Sequence, residues 1–326
     1  MKSFAADAAH ALMSLLVALY IAMLAVLMRT SAMPVSVFFL IAAGAFLLGM
    51  ALSRRLGKTG FVLSAVPASV DMRVFFGAAG FCLLVQIAYL AGFYPGGFSS
   101  DTGYQWRQIT GIAGLSDWHP ALHTLFLALL ARISLNPALA CFVQAVCYAL
   151  SVGYMTSTLW RWRVPRVLCI LSALYLSASP GISNLMAFPW KDCAFAICAL
   201  ILAAQMFSLH ASQGAWLMRR RNVLALSITL CLSAILRHNG IALALAAMVW
   251  LFVSFPRQFR RMLCVLLCAA ALFAAIKGPL YAAAGVTKEK TRIDELIGLP
   301  MTILAHIYAE APESLDEDII TFLEDV

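Results

Sequence analysis

Apolar residues in this chain come in long, nearly unbroken runs. Those long enough to cross the ~30 Å of bilayer hydrocarbon as helices occupy 11–28, 34–52, 74–94, 138–159, 167–187, 193–210 and 262–284. Two shorter runs, 222–236 and 240–255, are separated by RHNG, and ALHTLFLALLA at 121–131 is too short to cross unaided.

The charges between the runs decide how the chain threads. RRLGK with Arg73, RWRVPR, RRR at 219–221 and RQFRR from Arg257 should all face the cytoplasm under the positive-inside rule. If 121–131 crossed, the first two of these loops would fall on opposite sides. If it lies in the interface or only dips into the membrane, and both short runs cross, all four are cytoplasmic. The expected fold is therefore an all-α polytopic membrane protein of about nine transmembrane helices. Its N-terminus is inside, its C-terminus is outside, and interfacial helices occupy the first large external loop. Residues 1–73 form an N-terminal two-span segment, 74–284 the main transmembrane core and 285–326 an external acidic tail.

Composition agrees with this. The chain is 63% hydrophobic and 12% charged, with a mean hydropathy of +0.90. That is more apolar side chain than one globular core buries, so lipid must solvate much of it. The formal charge of +8 reads as topology signals facing anionic lipid, not as a nucleic-acid footprint. The nine cysteines lie mostly inside apolar runs without a C-x-x-C pair, so they read as small packing residues. The first run is longer than a signal-peptide core needs and is expected to stay as a span, despite TSA at 30–32.

Against this background the polar residues cluster. GGFSSDTGYQWRQITGIAGLSDWHPALHTLF at 96–126 holds two aspartates, two histidines, two glutamines, an arginine and two tryptophans. PGGFSSD reads as a turn and an N-cap serine, with a helix from near Asp101 to Gly111 at the latest. On it Asp101, Tyr104, Gln105 and Gln108 share one face, a floor suited to a sugar or phosphate or else the wet side of an interfacial helix. Pro120 suits the first position of a second short helix, with Asp117 or His119 near its cap. His119 and His123 stand four apart. Pro120 and Ala121 replace the glutamate and its neighbour of H-E-x-x-H, which removes the zinc-protease reading. A divalent metal held by Asp101 and His119 stays open, beside a purely structural role for the histidines.

FPWKD at 188–192 puts Lys191 and Asp192 where helix-end amides and an ammonium would attract an anion. A snorkelling lysine paired with its neighbour is the alternative. Arg237, His238 and Asn239 lie between two short apolar runs, and ionisable groups at such depth are ordinarily functional.

In order and spacing, Asp101, HPALHTL, SASPGISNLMAF and Asp192 resemble the polyprenyl-phosphate-dependent GT-C glycosyltransferases. Protein O-mannosyltransferases and the aminoarabinose transferases of lipid A belong to that superfamily. The string SSDTGYQWRQITG…SDWHPALHT…FPWKD…RHNG looks closer still to the DUF6020-like bacterial membrane proteins, considered distant relatives. The likeness covers roughly residues 74–240. It departs from the superfamily where Ser100, Asp101 and Thr102 stand in place of an acidic pair, which puts a metal in doubt. Many members also continue into further spans or a soluble domain, so the chain is expected to be either incomplete or without the acceptor-recognition part.

The resemblance implies transfer of a sugar from a polyprenyl-phosphate donor to a hydroxyl of a glycan, lipid or protein acceptor. The setting would be the bacterial inner membrane, with the site facing the periplasm or exterior. On this reading Asp101, His119 and Asp192 are the catalytic candidates, Asp101 as base and His119 as helper or ligand. Lys191 and Arg237 bind phosphate, and Tyr104, Gln105, Gln108, Asp117, His238 and Asn239 complete the substrate-binding set. Two rival readings use the same residues. One is a transporter or flippase of a lipid-linked anionic glycan; the other is a polysaccharide polymerase or ligase, expected to lean on paired arginines.

Overall fold

A computed structural model describes Leu47, residues 71–287 and residues 293–324. The chain divides into two compact units, Met1–Ser64 and Ala65–Val326. The runs at 11–28 and 34–52 belong to the first unit and, apart from the helical Leu47, lie outside the described residues.

In the second unit each of the eight apolar runs after residue 71 is helical. In chain order the helices are α1 (Met72–Gly92), α2 (Ser100–Ile109), α3 (Ala121–Ala131), α4 (Pro137–Arg161), α5 (Arg166–Ala178), α6 (Pro180–Met186) and α7 (Lys191–Ala211). They continue with α8 (Arg220–Leu236), α9 (Gly240–Ser254) and α10 (Phe259–Ala275). A π turn at Ile276–Leu280 carries α10 into Tyr281–Ala283. Past the core come α11 (Ile293–Glu310) and α12 (Glu317–Glu324). No β-strand occurs among the described residues, where one isolated bridge joins Ser116 to Thr287.

Met72–Gly92, Pro137–Arg161, Lys191–Ala211 and Pro256–Ala283 are each long and apolar enough to cross a bilayer, and α5 with α6 makes a fifth if the bent pair is one span. The protein is an integral membrane protein of helical type. The 11 residues of α3 match the expectation that 121–131 cannot cross alone, since they rise only about 16 Å.

The run at 167–187 is not one straight helix. It bends by 49° between α5 and α6, and the cause is Pro180. Proline has no N–H, so the carbonyl four residues back, that of Leu176, loses its helical partner. In an apolar setting that oxygen needs another donor, and the Tyr148 hydroxyl supplies it at 2.6 Å. The next carbonyl, of Ser177, accepts from the buried Gln86 side chain at 3.1 Å and from the Ser183 hydroxyl at 3.2 Å. The break is thus sealed by polar side chains on α1, α4 and α6.

Packing around these bonds is close. A Cβ on Gly153 of α4 would stand 2.7 Å from the Phe75 carbonyl oxygen of α1, so only glycine allows this helix contact. One apolar core gathers Cys82, Tyr148, Val152, Met186, Cys193 and Ile197, from α1, α4, α6 and α7. The other gathers Leu202, Leu209, Leu226, Leu230, Leu251 and Met262, from α7 to α10.

The polar and basic loops separate to two ends. Lys191 begins α7 and Ala211 ends it, about 30 Å apart at 1.5 Å per residue. Bonds between 101, 119 and 191, and between 118 and 238, collect the acidic and histidine-bearing loops at the first end. Arg161, Trp216, Arg219 and Arg221 converge at the second.

Candidate active site

The site starts from two turns held against each other. The Gly97 amide donates to the Ala187 carbonyl at 3.0 Å, and a Cβ on Gly97 would collide with the Phe188 ring at 2.3 Å. Gln144 donates to the Met186 and Phe188 carbonyls at 3.0 and 2.6 Å. The Thr102 hydroxyl reaches the Pro189 carbonyl at 3.2 Å. The loop between α1 and α2 is thereby fixed to the turn before α7. Ser99 caps α2 through the Thr102 amide at 3.1 Å, so the helix starts where the sequence signal placed it and Asp101 falls in its first turn.

Asp101, Lys191 and His119 form the centre. The Lys191 ammonium donates to Asp101 Oδ2 and lies 3.0 Å from His119 Nδ1. Trp190 Nε1 donates to the same carboxylate oxygen at 3.3 Å. His119 Nε2 stands 3.9 Å from Asp101 Oδ1, beyond hydrogen-bond reach. A lysine at a helix N-terminus opposes the helix dipole, and Asp101 supplies the anion that offsets it. Burial alone would raise the Asp101 carboxyl, but the Lys191 hydrogen bond, Trp190 and the Lys191 charge outweigh it and hold it below its ordinary value. His119 is pushed down from 6.5 to about 4, by burial first and by the Lys191 charge second. It is neutral at physiological pH. With Nδ1 accepting from lysine, its proton is on Nε2, facing the carboxylate.

Around this centre further pairs close the patch. Arg237 Nε is 3.4 Å from Asp192 Oδ1. His238 Nε2 lies 3.0 Å from the Trp118 carbonyl oxygen. Asp117 caps α3 by accepting from the Ala121 amide at 3.0 Å and pairs with Lys277. Arg237, His238 and Asn239 are exposed. The structure therefore brings Asp101, His119 and Lys191 into direct contact, with Asp192, Arg237, Asp117 and His238 alongside.

Two expected substrate contacts are turned the other way. Gln105 is fully buried, with its amide split between His123 Nδ1 at 3.0 Å and Thr124 Oγ1 at 2.8 Å. Gln108 is also buried and donates to the Gly114 carbonyl and to Ser116 at 3.1 and 3.0 Å. Helical spacing does put them on the face of Asp101, but that face packs on α3 and its preceding loop. Tyr104 meets His119 edge-on with centroids 5.5 Å apart.

One turn into α7 the surroundings become hydrocarbon. A cavity of about 600 Å³ runs between α3, α4, α7 and α8, lined among others by Phe126, Leu129, Cys147, Ala194, Ile197 and Leu236. His123 and Gln144 also line it, with His123 Nδ1 engaged by Gln105 and Gln144 Nε2 by the carbonyls of Met186 and Phe188. Phe126, Leu129 and Leu280 on its wall are exposed.

A family model described as DUF6020, family of unknown function, matches residues 104–326. The chain belongs to the DUF6020 family. No curated protein and no solved structure shows a significant match to it. Of the central triad, His119 and Lys191 lie inside the matched span, and Asp101 lies just ahead of it.

Asp101 and His119 are the two residues of the DUF6020 site that could hold a divalent metal, and the Lys191 ammonium stands against Asp101 Oδ2 and His119 Nδ1. Among the described residues no three His, Cys, Asp or Glu side chains converge on a point.

Three participants escape the sequence reading. Trp190 holds Asp101, Lys277 holds Asp117, and the Tyr281 hydroxyl accepts from the Leu122 amide at 2.9 Å. Lys277 carried a signal: an ionisable residue inside an apolar run is ordinarily functional. The tryptophan and tyrosine carried none, because aromatic residues are common at membrane interfaces.

The depressed histidine sets a pH response. Between pH 6.5 and about 4 the unfolded chain holds a proton on His119 that the folded chain lacks, so stability falls as pH drops through that window. Asp101, also lowered, continues the loss further down as it takes up its proton. Melting temperature in detergent should fall between pH 7 and 4.5, with a shallower slope in His119→Gln. Equal slopes would mean that His119 is not held neutral.

Proposed function

We propose that this protein is a membrane glycosyltransferase that moves a sugar from a polyprenyl-phosphate donor to an acceptor hydroxyl on the non-cytoplasmic face. The observation that carries the reading is a carboxylate–ammonium–imidazole cluster placed one helical turn from an apolar cavity of about 600 Å³. A lipid-linked donor has the same two parts, a phosphate next to a hydrocarbon chain. The chain would lie along Phe126, Leu129 and Ile197, and the phosphate would meet Lys191 and Arg237.

In the transfer the acceptor oxygen bonds to the anomeric carbon, the bond from that carbon to the phosphate oxygen breaks, and the lipid phosphate leaves with the electron pair. The acceptor proton passes to Asp101, ionised at neutral pH because its folded value is held low. Lys191 touches Asp101 in the present geometry. When it turns toward the departing phosphate it stabilises the leaving charge and frees the carboxylate to become a stronger base. His119, neutral with Nε2 protonated, donates a hydrogen bond to the acceptor.

The orientation is part of the proposal. Nine spans, with the basic end in the cytoplasm and the Asp101 end outside, agree with the positive-inside rule and with the separation of the two ends along α7. In a cysteine-free background, impermeant thiol reagents added outside should label cysteines introduced at Ser134 and Gly285 and spare one at Arg220. Labelling at 220 from outside would overturn the orientation.

The activity itself is tested with purified protein and polyprenyl-phosphate sugars, following transferred sugar by mass. A general base contributes roughly 10²- to 10⁴-fold, so Asp101→Asn should lose that much turnover while still binding donor lipid. Transfer undiminished in Asp101→Asn would remove the carboxylate from the chemistry and favour a transporter of lipid-linked anions.

A further inference from the structure

The second end of the molecule holds a different kind of cavity. It measures about 170 Å³ and is lined by Arg161, Arg219, Arg221, Trp162, Trp216 and Asn222, together with Ser212 and Ala215. Three arginines from two stretches of chain, the end of α4 and the start of α8, thus line one space. Among the described residues no aspartate or glutamate lines it. The walls are fixed: Trp162 is 2% exposed and reaches Ser208 Oγ at 3.4 Å. The Trp216 amide donates to Ser212 Oγ at 2.9 Å, and Asn222 Nδ2 donates to the Trp216 carbonyl at 2.7 Å.

Three like charges close together repel one another, and an anion among them would relieve that repulsion. The guanidinium fork matches phosphate oxygens in pairs, and at about 30 Å³ per water-sized volume the cavity has room for a phosphoryl group. We propose that the Arg161–Arg219–Arg221 cavity binds a phosphate group, as a site separate from the Asp101 cluster. It lies the length of α7 away from Lys191, so one phosphate cannot serve both. Tryptophans 162 and 216 in its wall, with Arg166 stacked 5.2 Å over the Trp160 ring, are the residue types that collect at headgroup level. An anionic lipid headgroup is the source of phosphate that this depth favours, and soluble phosphate is the other source of the same chemistry.

The test uses the purified full-length protein in detergent and two probes. In native mass spectrometry the wild type should retain phosphatidylglycerol in preference to phosphatidylcholine. Arg219→Gln/Arg221→Gln, altered at two exposed positions, should weaken that retention about tenfold or more while eluting as the same monodisperse species. Arg257→Gln/Arg260→Gln removes equal charge from the neighbouring basic loop and should leave it unchanged. The second probe is inorganic phosphate followed by tryptophan fluorescence. A saturable response lost in Arg219→Gln/Arg221→Gln, without lipid preference, would support the site with soluble phosphate as its ligand. Absence of both responses in the wild type, or equal loss in the two double variants, would overturn the proposal.

Discussion

Lys191 is shared between Asp101 and His119, and the polar end of the protein is organised by that sharing. The ammonium stands at the start of α7, where the helix dipole disfavours it; its neighbour Asp192 is engaged by Arg237, and the anion that offsets it comes from elsewhere. It comes from α2, about ninety residues earlier. The contact ties the start of α2 to the start of α7 and holds the Asp101 carboxyl low, and the lysine charge adds to the burial that keeps His119 neutral. Removing the lysine would alter the position and protonation of both partners together.

The same economy of polar groups runs through the apolar body. Pro180 frees a carbonyl, and Tyr148 takes it; Gln86 and Ser183 take the next. Gln144 holds the carbonyls that lead into FPWK, and Gln205 meets Thr229 between α7 and α8 at 3.0 Å. Lipid offers no hydrogen bonds, so each irregularity in the backbone requires a side chain to answer it. The bend between α5 and α6 and the turn before α7 are therefore positioned as firmly as the straight helices. That turn is what presents Trp190 and Lys191 to Asp101.

Much of this was legible in the sequence because the signals were local. Apolar run lengths marked the helices, Ser99 marked the start of α2, and the basic loops marked one end. Asp101, His119, Lys191 and Arg237 could be picked out because charged and histidine side chains are scarce in this chain. What escaped depends on which neighbour a residue meets. Gln105 and Gln108 share a helical face with Asp101, yet whether that face meets substrate or protein is decided by α3 and the loop before it. Lys277 was hidden inside a run counted only for its hydropathy. The run at 167–187 was counted as one span despite Pro180, and both its bend and the repair by Tyr148 and Gln86 depend on the packing of three helices.

A charged cluster bordering a hydrocarbon-lined cavity is the arrangement that a phosphate joined to a long apolar chain would require, and that is the central claim. The most direct test is photo-crosslinking with a polyprenyl phosphate that carries a diazirine on its chain, with adducts mapped by peptide mass. The account predicts adducts on residues 122–129 of α3 and 194–198 of α7, displaced by unlabelled polyprenyl phosphate. Adducts confined to other helices, or undiminished by the competitor, would contradict it.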